Sequence, residues 1–261
     1  MATFEKIKLP NVKNIVVVAS GKGGVGKSTV ASNLAITLAR NNGLKVALVD
    51  ADIYGPSIPK MFGIEDVKPE ATAIENKEMI LPVIKYGVKI ISIGFFISVN
   101  QGLIWRGPMA SNVIKQLFEN TFWDEIDYMI IDFPPGTGDI QLTTVQYLNL
   151  TGAIIVTTPQ EVALNDARKA ASMFTNPDLN VPILGVIENM SWFTPKNHPD
   201  EKYYIFGKGG GERLATELKV PLLGQIPLVA EVGEAADKGL SIYNQPDTTV
   251  ISAFEKIVEK I

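Results

Sequence analysis

The chain has 261 residues, 46% of them hydrophobic, with a formal net charge of −4, a single histidine and no cysteine. A chain of this length and apolar content buries a core without covalent staples, and the missing cysteines exclude disulfides, thiolate metal sites and cysteine nucleophiles. The mild acidity argues against a nucleic-acid surface. With no apolar stretch long enough to span a membrane and no signal-peptide core in Met1 to Pro10, a soluble cytoplasmic protein without nucleic-acid or membrane partners is expected.

Taken in chain order, Ile15 to Ala19 is a short β-branched run with the composition of a buried parallel strand. Gly21 to Ser28 follows as Gly-Lys-Gly-Gly-Val-Gly-Lys-Ser, which fits the template G-x-x-x-x-G-K-S/T. A helix is predicted from Thr29 to Arg40, then a strand from Lys45 to Val49 that ends in Asp50-Ala51-Asp52. Gly55 to Gly63 reads as a short helix, with Pro56 in its first turn and Gly63 as its stop. Asp66 to Pro82 is polar and weakly patterned, a surface excursion. Val88 to Ile93 returns to the sheet, and Trp105-Arg106-Gly107-Pro108 is a loop feeding a helix from Met109 to Thr121. Tyr128 to Ile131 is a strand ending in Asp132-Phe133-Pro134-Pro135-Gly136. Ala153 to Thr157 and Ile183 to Ile187 repeat the strand signal around a helix from Ala163 to Phe174, and Val220 to Gly224 is the last strand. This alternation predicts a doubly wound α/β fold, a mostly parallel sheet with helices on both faces, in a single domain over residues 1–261. Val250, Ile251, Phe254, Ile257, Val258 and Ile261 form an apolar stripe opposite a neutral face of Glu255, Lys256, Glu259 and Lys260. A membrane-targeting helix wants a cationic face, so this one is expected to pack on the core.

Strand, glycine loop and helix is the order a nucleotide loop requires. The glycines let successive N–H groups turn inward at the positive end of the helix dipole. The loop Gly21, Lys22, Gly23, Gly24, Val25, Gly26, Lys27, Ser28 and Thr29 is therefore the candidate ATP phosphate cradle. Lys27 supplies a charge for the β and γ phosphates and Ser28 a hydroxyl for Mg2+. Ligands of a parallel sheet gather at the carboxyl ends of its strands. Asp132, following an apolar strand, and Asp50 are candidate Mg2+ ligands through water, while Asp52 is a candidate to orient or deprotonate an attacking water. Asp139 is a further acid near this edge. Pro135 and Gly136 sit where a loop can turn an N–H toward a γ phosphate and release it after hydrolysis.

The runs Lys22 to Ser28, Asp50 to Ser57, Trp105 to Pro108, Asp132 to Asp139, Thr158-Pro159-Gln160-Glu161 and Glu188-Asn189-Met190-Ser191 resemble, in order from about residue 12 to 245, the Mrp/ApbC family of P-loop ATPases. That family is a branch of the deviant Walker A group, alongside MinD, ParA and the nitrogenase iron protein. The resemblance implies a homodimer in which Lys22 reaches the phosphates bound by the other subunit, the physics of an arginine finger supplied in trans. It also implies that Asn189 hydrogen-bonds the adenine edge and that the base stacks near Pro227.

Members of the family carry a C-x-x-C pair shortly after the Asn-Met-Ser run, which is held to bridge a 4Fe-4S cluster at the dimer interface for transfer to apo-target proteins. Counted from Asn189, those positions fall at about Pro195 and His198. Proline ligates no iron, and two imidazoles without thiolates do not match the charge of a cluster. Two functions therefore remain open: an ATP-driven carrier or chaperone in iron–sulfur assembly, and a positioning or regulatory switch of the MinD/ParA type.

Overall fold

In a computed structural model, the structure describes residues 6–41, 43–74, 76–96, 107–245 and 248–261. Trp105 and Arg106 of the expected loop lie outside the described residues, as does the side chain of Asp139. The chain runs β1 (Val12–Ala19), α1 (Lys27–Asn41), β2 (Val46–Asp50), α2 (Ile58–Phe62), β3 (Ala71–Ile74), β4 (Lys77–Ile80), β5 (Val83–Lys85), β6 (Val88–Ser92) and α3 (Gly107–Glu119). It continues as β7 (Ile126–Asp132), α4 (Asp139–Tyr147), β8 (Gly152–Thr157), α5 (Glu161–Phe174), β9 (Ile183–Glu188), α6 (Gly210–Leu218), β10 (Leu222–Gln225), α7 (Ala230–Asp237) and α8 (Thr249–Val258).

One sheet of eight strands carries the fold, in the order β10-β9-β8-β1-β7-β2-β6-β5. Every pairing in it is parallel except β5 with β6. The strands at its centre are apolar on both faces because helices cover both: β2 and β8 are buried along their whole length. From α1, Val30, Ala31, Leu34 and Leu38 close one face, each large side chain contributing roughly 1.5–3 kcal/mol by leaving water.

The register decides the chemistry. Asp50 is the pairing partner of Asp132 on one side and of Ser92 on the other, so the carboxyl ends of β2, β7 and β6 form one polar row. Beside it β1 ends at Ala19 and runs into the glycine loop.

The apolar stripe at the C-terminus packs on the core as expected: Val250, Phe254, Ile257 and Val258 are buried. Gly224 of β10 lies so close that a Cβ there would fall 2.5 Å from the Ile257 side chain. Among the described residues no helix is long and apolar enough to cross a membrane.

Three local expectations change. Asp66 to Pro82 holds an antiparallel hairpin of β3 and β4, turned with Asn76 at φ 65°, and β5 follows it at the sheet edge. The helix expected over Gly55 to Gly63 is shortened to Ile58–Phe62, with Pro59 rather than Pro56 in its first turn. Its cause is upstream: the Asp52 carboxylate accepts hydrogen bonds from the N–H groups of Tyr54 and Gly55 and holds them in a turn. Gly63 does end it, in the left-handed region at φ 62°. Finally, α4, α6 and α7 are helices that the apolar periodicity did not single out.

Candidate nucleotide site

The glycine loop is shaped by two left-handed residues, Gly24 at φ 81° and Gly26 at φ 82°. Glycine reaches that conformation without the cost borne by other residues. Two of its glycines are also required by proximity: a Cβ at Gly21 would lie 2.0 Å from the Asp166 backbone carbon of α5, and one at Gly26 would lie 2.2 Å from Asn189 Nδ2. Gly23 and Gly24 face open space. The loop is thus wedged between α5 and the residue that follows β9. Ser20 Oγ donates to the Lys22 carbonyl (3.0 Å), and Val30 N–H donates to the Gly26 carbonyl as α1 begins. Thr29 lies half-buried in that first turn. Lys22 is half-buried in the loop and, among the described residues, has no ion pair.

Lys27 is buried and points into the polar row. Its Nζ donates to Asp132 Oδ1 at 2.5 Å and to Ser28 Oγ at 3.2 Å, and lies 3.7 Å from Asp52 Oδ2. Asp132 is fully buried, and among the described residues its second oxygen, Oδ2, has no hydrogen-bond partner. Burial pushes the Asp132 carboxyl above the ordinary carboxylate range, with the Lys27 charge pulling the other way. Asp50 is pushed up to about 8, by burial first and by the neighbouring Asp132 charge second.

The sequence-predicted acids therefore sit together but differ in what they offer. Asp52 spends Oδ1 on its own turn and keeps Oδ2 toward Lys27. Asp50 has both oxygens engaged, Oδ2 by Ser92 Oγ–H and Ile58 N–H and Oδ1 by Asp52 N–H. Beyond β7, Gly136 (φ 90°) donates its N–H to the Ser20 carbonyl at 3.0 Å, laying Pro135 and Gly136 beside the glycine loop. Gln141, a residue that no motif singled out, is buried and fixes that segment by donating to the carbonyls of Pro134 (3.3 Å) and Pro135 (2.8 Å).

On the other side of Gly26 lies a cavity of about 260 Å³, lined by Thr29, Asn189, Met190, Pro227, Val250 and Phe254 among others. Its apolar walls and one amide suit the flat face and polar edge of a base. Asn189 Nδ2 donates to the Val25 carbonyl at 2.9 Å, so the amide braces the loop across the cavity mouth and leaves Oδ1 as its open group. Met190 next to it takes φ 56°, a left-handed conformation that costs a non-glycine residue about 1 kcal/mol.

The stretch from Ser191 to Gly209 is built differently. Phe193 and Tyr203 pair through both backbone hydrogen bonds at 2.8 Å, Lys202 stacks on Trp192 at 4.1 Å, and Lys196 pairs with Glu231. Pro195 and His198 close a turn, His198 N–H to the Pro195 carbonyl, and the exposed imidazole faces Glu201 at 3.4 Å. Among the described residues no group of three or more His, Cys, Asp or Glu is arranged to hold a metal ion. The donor set here does not fit an iron–sulfur cluster: one solvated imidazole and no thiolate.

Comparison with known proteins bears on this geometry. The sequence profile described as "NUBPL iron-transfer P-loop NTPase" matches residues 11–261. The chain is 48% identical over 258 residues to the iron-sulfur cluster carrier protein of Aquifex aeolicus, covering 98% of this chain and 69% of that one. It is 43% identical to the protein of the same name from Escherichia coli K12, covering 100% and 70%. Among solved structures, the nucleotide-binding protein of Archaeoglobus fulgidus in complex with ADP superposes with a TM-score of 0.78 at 36% identity, over 92% of this chain and 91% of that one. The cell division ATPase MinD of Pyrococcus furiosus superposes with a TM-score of 0.67 at 23% identity, over 95% and 97%, and shares the fold. The chain belongs to the family of iron-transfer P-loop NTPases.

Proposed function

We propose that the chain is a Mg2+-dependent ATPase that works as a homodimer in iron–sulfur cluster assembly or transfer, as carrier or chaperone. The observation that carries this reading is the placement of Lys27 in the polar row: a buried cation against Asp132 and near Asp52, at the end of a loop with Gly24 and Gly26 in the left-handed region. A triphosphate entering the cradle offers Lys27 a stronger anionic partner than a carboxylate that is itself costly to keep charged. Lys27 then moves from Asp132 to the β and γ phosphates, and the Asp132 carboxylate is released. Asp132 Oδ2, without a hydrogen-bond partner among the described residues, and the nearby Ser28 hydroxyl would hold a hydrated Mg2+ beside the phosphates. Bound there, the ion neutralises charge on the phosphate oxygens.

Asp52, whose Oδ2 faces Lys27 at 3.7 Å and is released as Lys27 turns to the phosphates, orients the attacking water. The water oxygen bonds the γ phosphorus as the bond to the ADP oxygen breaks, and its proton passes to Asp52 or to solvent. Lys22 of a second copy meets the charge that develops on the transferred group, which ties hydrolysis to dimerisation. Asn189 turns its amide to the adenine edge, against Pro227 and the apolar cavity. Loss of the γ phosphate frees the Gly136 segment and loosens the dimer. The cluster is cargo in this scheme. Because the chain has no cysteine, its thiolate ligands come from a partner protein, and this chain supplies the nucleotide-driven change of shape.

The test is phosphate release under Mg2+-ATP, followed by anaerobic addition of iron and sulfide. The reading expects slow ATP turnover, and a cluster spectrum only when a cysteine-bearing apo-protein is present. Absence of turnover in the wild type overturns it.

A further inference from the structure

Asp50 lies beside the candidate magnesium ligand Asp132, yet its contacts look the other way. Its Oδ2 receives the Ser92 hydroxyl at 2.8 Å and Ile58 N–H at 3.2 Å, while Oδ1 receives Asp52 N–H at 3.2 Å. Asp50 and Ser92 are both fully buried. The Asp50 carboxyl thereby joins three things: the end of β6, the first turn of α2, and the backbone of Asp52. Ser92 is held on its own far side as well, accepting Gly94 N–H at 2.9 Å. Gly94 is pressed against the turn, since a Cβ there would sit 3.2 Å from Pro56 Cβ and 3.3 Å from Pro59 Cγ. One hydroxyl, donor on one side and acceptor on the other, thus links the Asp50 carboxyl to the Gly94 backbone that packs on Pro56 and Pro59, the segment following Asp52.

We infer that Asp50 is a positioning residue rather than a metal ligand, and that Ser92 orients it, so that the pair sets the Asp52 turn and aims Asp52 Oδ2 at the reacting end of the nucleotide. The inference rests on the ATPase reading above and refines one of its roles. Neither residue touches the phosphate cradle, which is built from Gly21 to Ser28. Loss of the Ser92 hydroxyl lets the turn wander and costs rate, because misplacing a catalytic group by an ångström is expensive. Nucleotide affinity and the magnesium requirement do not depend on it.

Steady-state ATP hydrolysis titrated with Mg2+, alongside binding of a fluorescent ADP analogue, separates the possibilities for the wild type, Ser92→Ala, Asp50→Asn and Asp132→Asn. The expected result for Ser92→Ala and Asp50→Asn is a fall of about tenfold or more in kcat. Analogue affinity and half-saturating Mg2+ should stay within about twofold of wild type, and Asp132→Asn should raise half-saturating Mg2+ about tenfold or more. Ser92→Thr, which keeps the hydroxyl, should recover most of the rate. Where Ser92→Ala is insoluble, Ser92→Cys keeps the volume, weakens the donor and should show the same split. An unchanged kcat in Ser92→Ala, or a magnesium shift in Asp50→Asn equal to that of Asp132→Asn, overturns the inference while the ATPase reading stands. A wild type that hydrolyses nothing overturns both.

Discussion

Two regions of the chain have opposite electrostatic designs. The polar row at the carboxyl ends of β2, β7 and β6 holds its ionisable groups buried and interlocked, with Lys27 joined to Asp132 and facing Asp52, and Asp50 bonded to the Asp52 backbone. The stretch from Ser191 to Gly209 spreads Lys196, His198, Asp200, Glu201 and Lys202 into solvent, where an ion pair is worth little. Buried charge is kept where it is about to be used, because each desolvated ion is costly unless a partner or a ligand compensates it. The contrast sets a buried, interlocked polar row at the strand ends against an exposed 191–209 stretch.

The largest effect should come from breaking the row at its centre. Lys27→Ala leaves Asp132 buried without its cation, a loss of roughly 3–5 kcal/mol by analogy with other broken buried pairs. Thermal unfolding should report it, and calorimetric titration should find nucleotide binding lost. Lys22→Ala should do the reverse, keeping nucleotide affinity but lowering turnover by about 10³-fold, the low end of what a trans cation supplies. Wild-type turnover in that variant would remove the second copy from the mechanism.

Asp132→Asn sharpens the comparison further. It frees Lys27 for phosphate, so ADP in EDTA should bind about tenfold tighter than to the wild type, roughly 1.4 kcal/mol, while Mg2+ should help only at about tenfold or more higher concentration. The pH dependence is smaller. Because the Asp50 carboxyl is held up to about 8 in the folded chain, the native state binds more protons than the unfolded state between the ordinary carboxylate range and pH 8. Stability of the nucleotide-free protein should therefore fall as pH rises through that window, by up to about 1 kcal/mol per pH unit, and level off above it. Asp50→Asn should flatten the slope in melting curves taken from pH 5 to 8. At the other extreme, His198→Ala should change stability by less than about 0.5 kcal/mol and turnover not at all, as measured by the same melts and assays.

Much of this was readable in one dimension because the signals were local. The glycine loop, the buried strands and the amphipathic C-terminal helix each announce themselves within a short window. The hairpin of β3 and β4 did not, since four-residue strands give too little alternation to separate from a polar loop. Helices α6 and α7 start in or contain glycine, which lowers helical propensity. At the site, residue types were legible but their partners were not. The aspartates at strand ends invite one reading as metal ligands, yet Asp50 finds Ser92 from 42 residues away. Asn189 finds Val25 across 164 residues. Only the sheet register brings such groups together. Gln141 carries no motif and is recognised only by the two proline carbonyls it holds.

The most direct test of the shared site is a mixing experiment with two inactive variants, Lys22→Ala and Asp52→Asn. In a mixed dimer the Lys22→Ala subunit keeps its own Asp52 and receives Lys22 from its partner, so one site is whole. An equal mixture should recover about a quarter of wild-type ATP turnover, because half the dimers are mixed and each has one competent site. A mixture no more active than its two components apart would contradict the account.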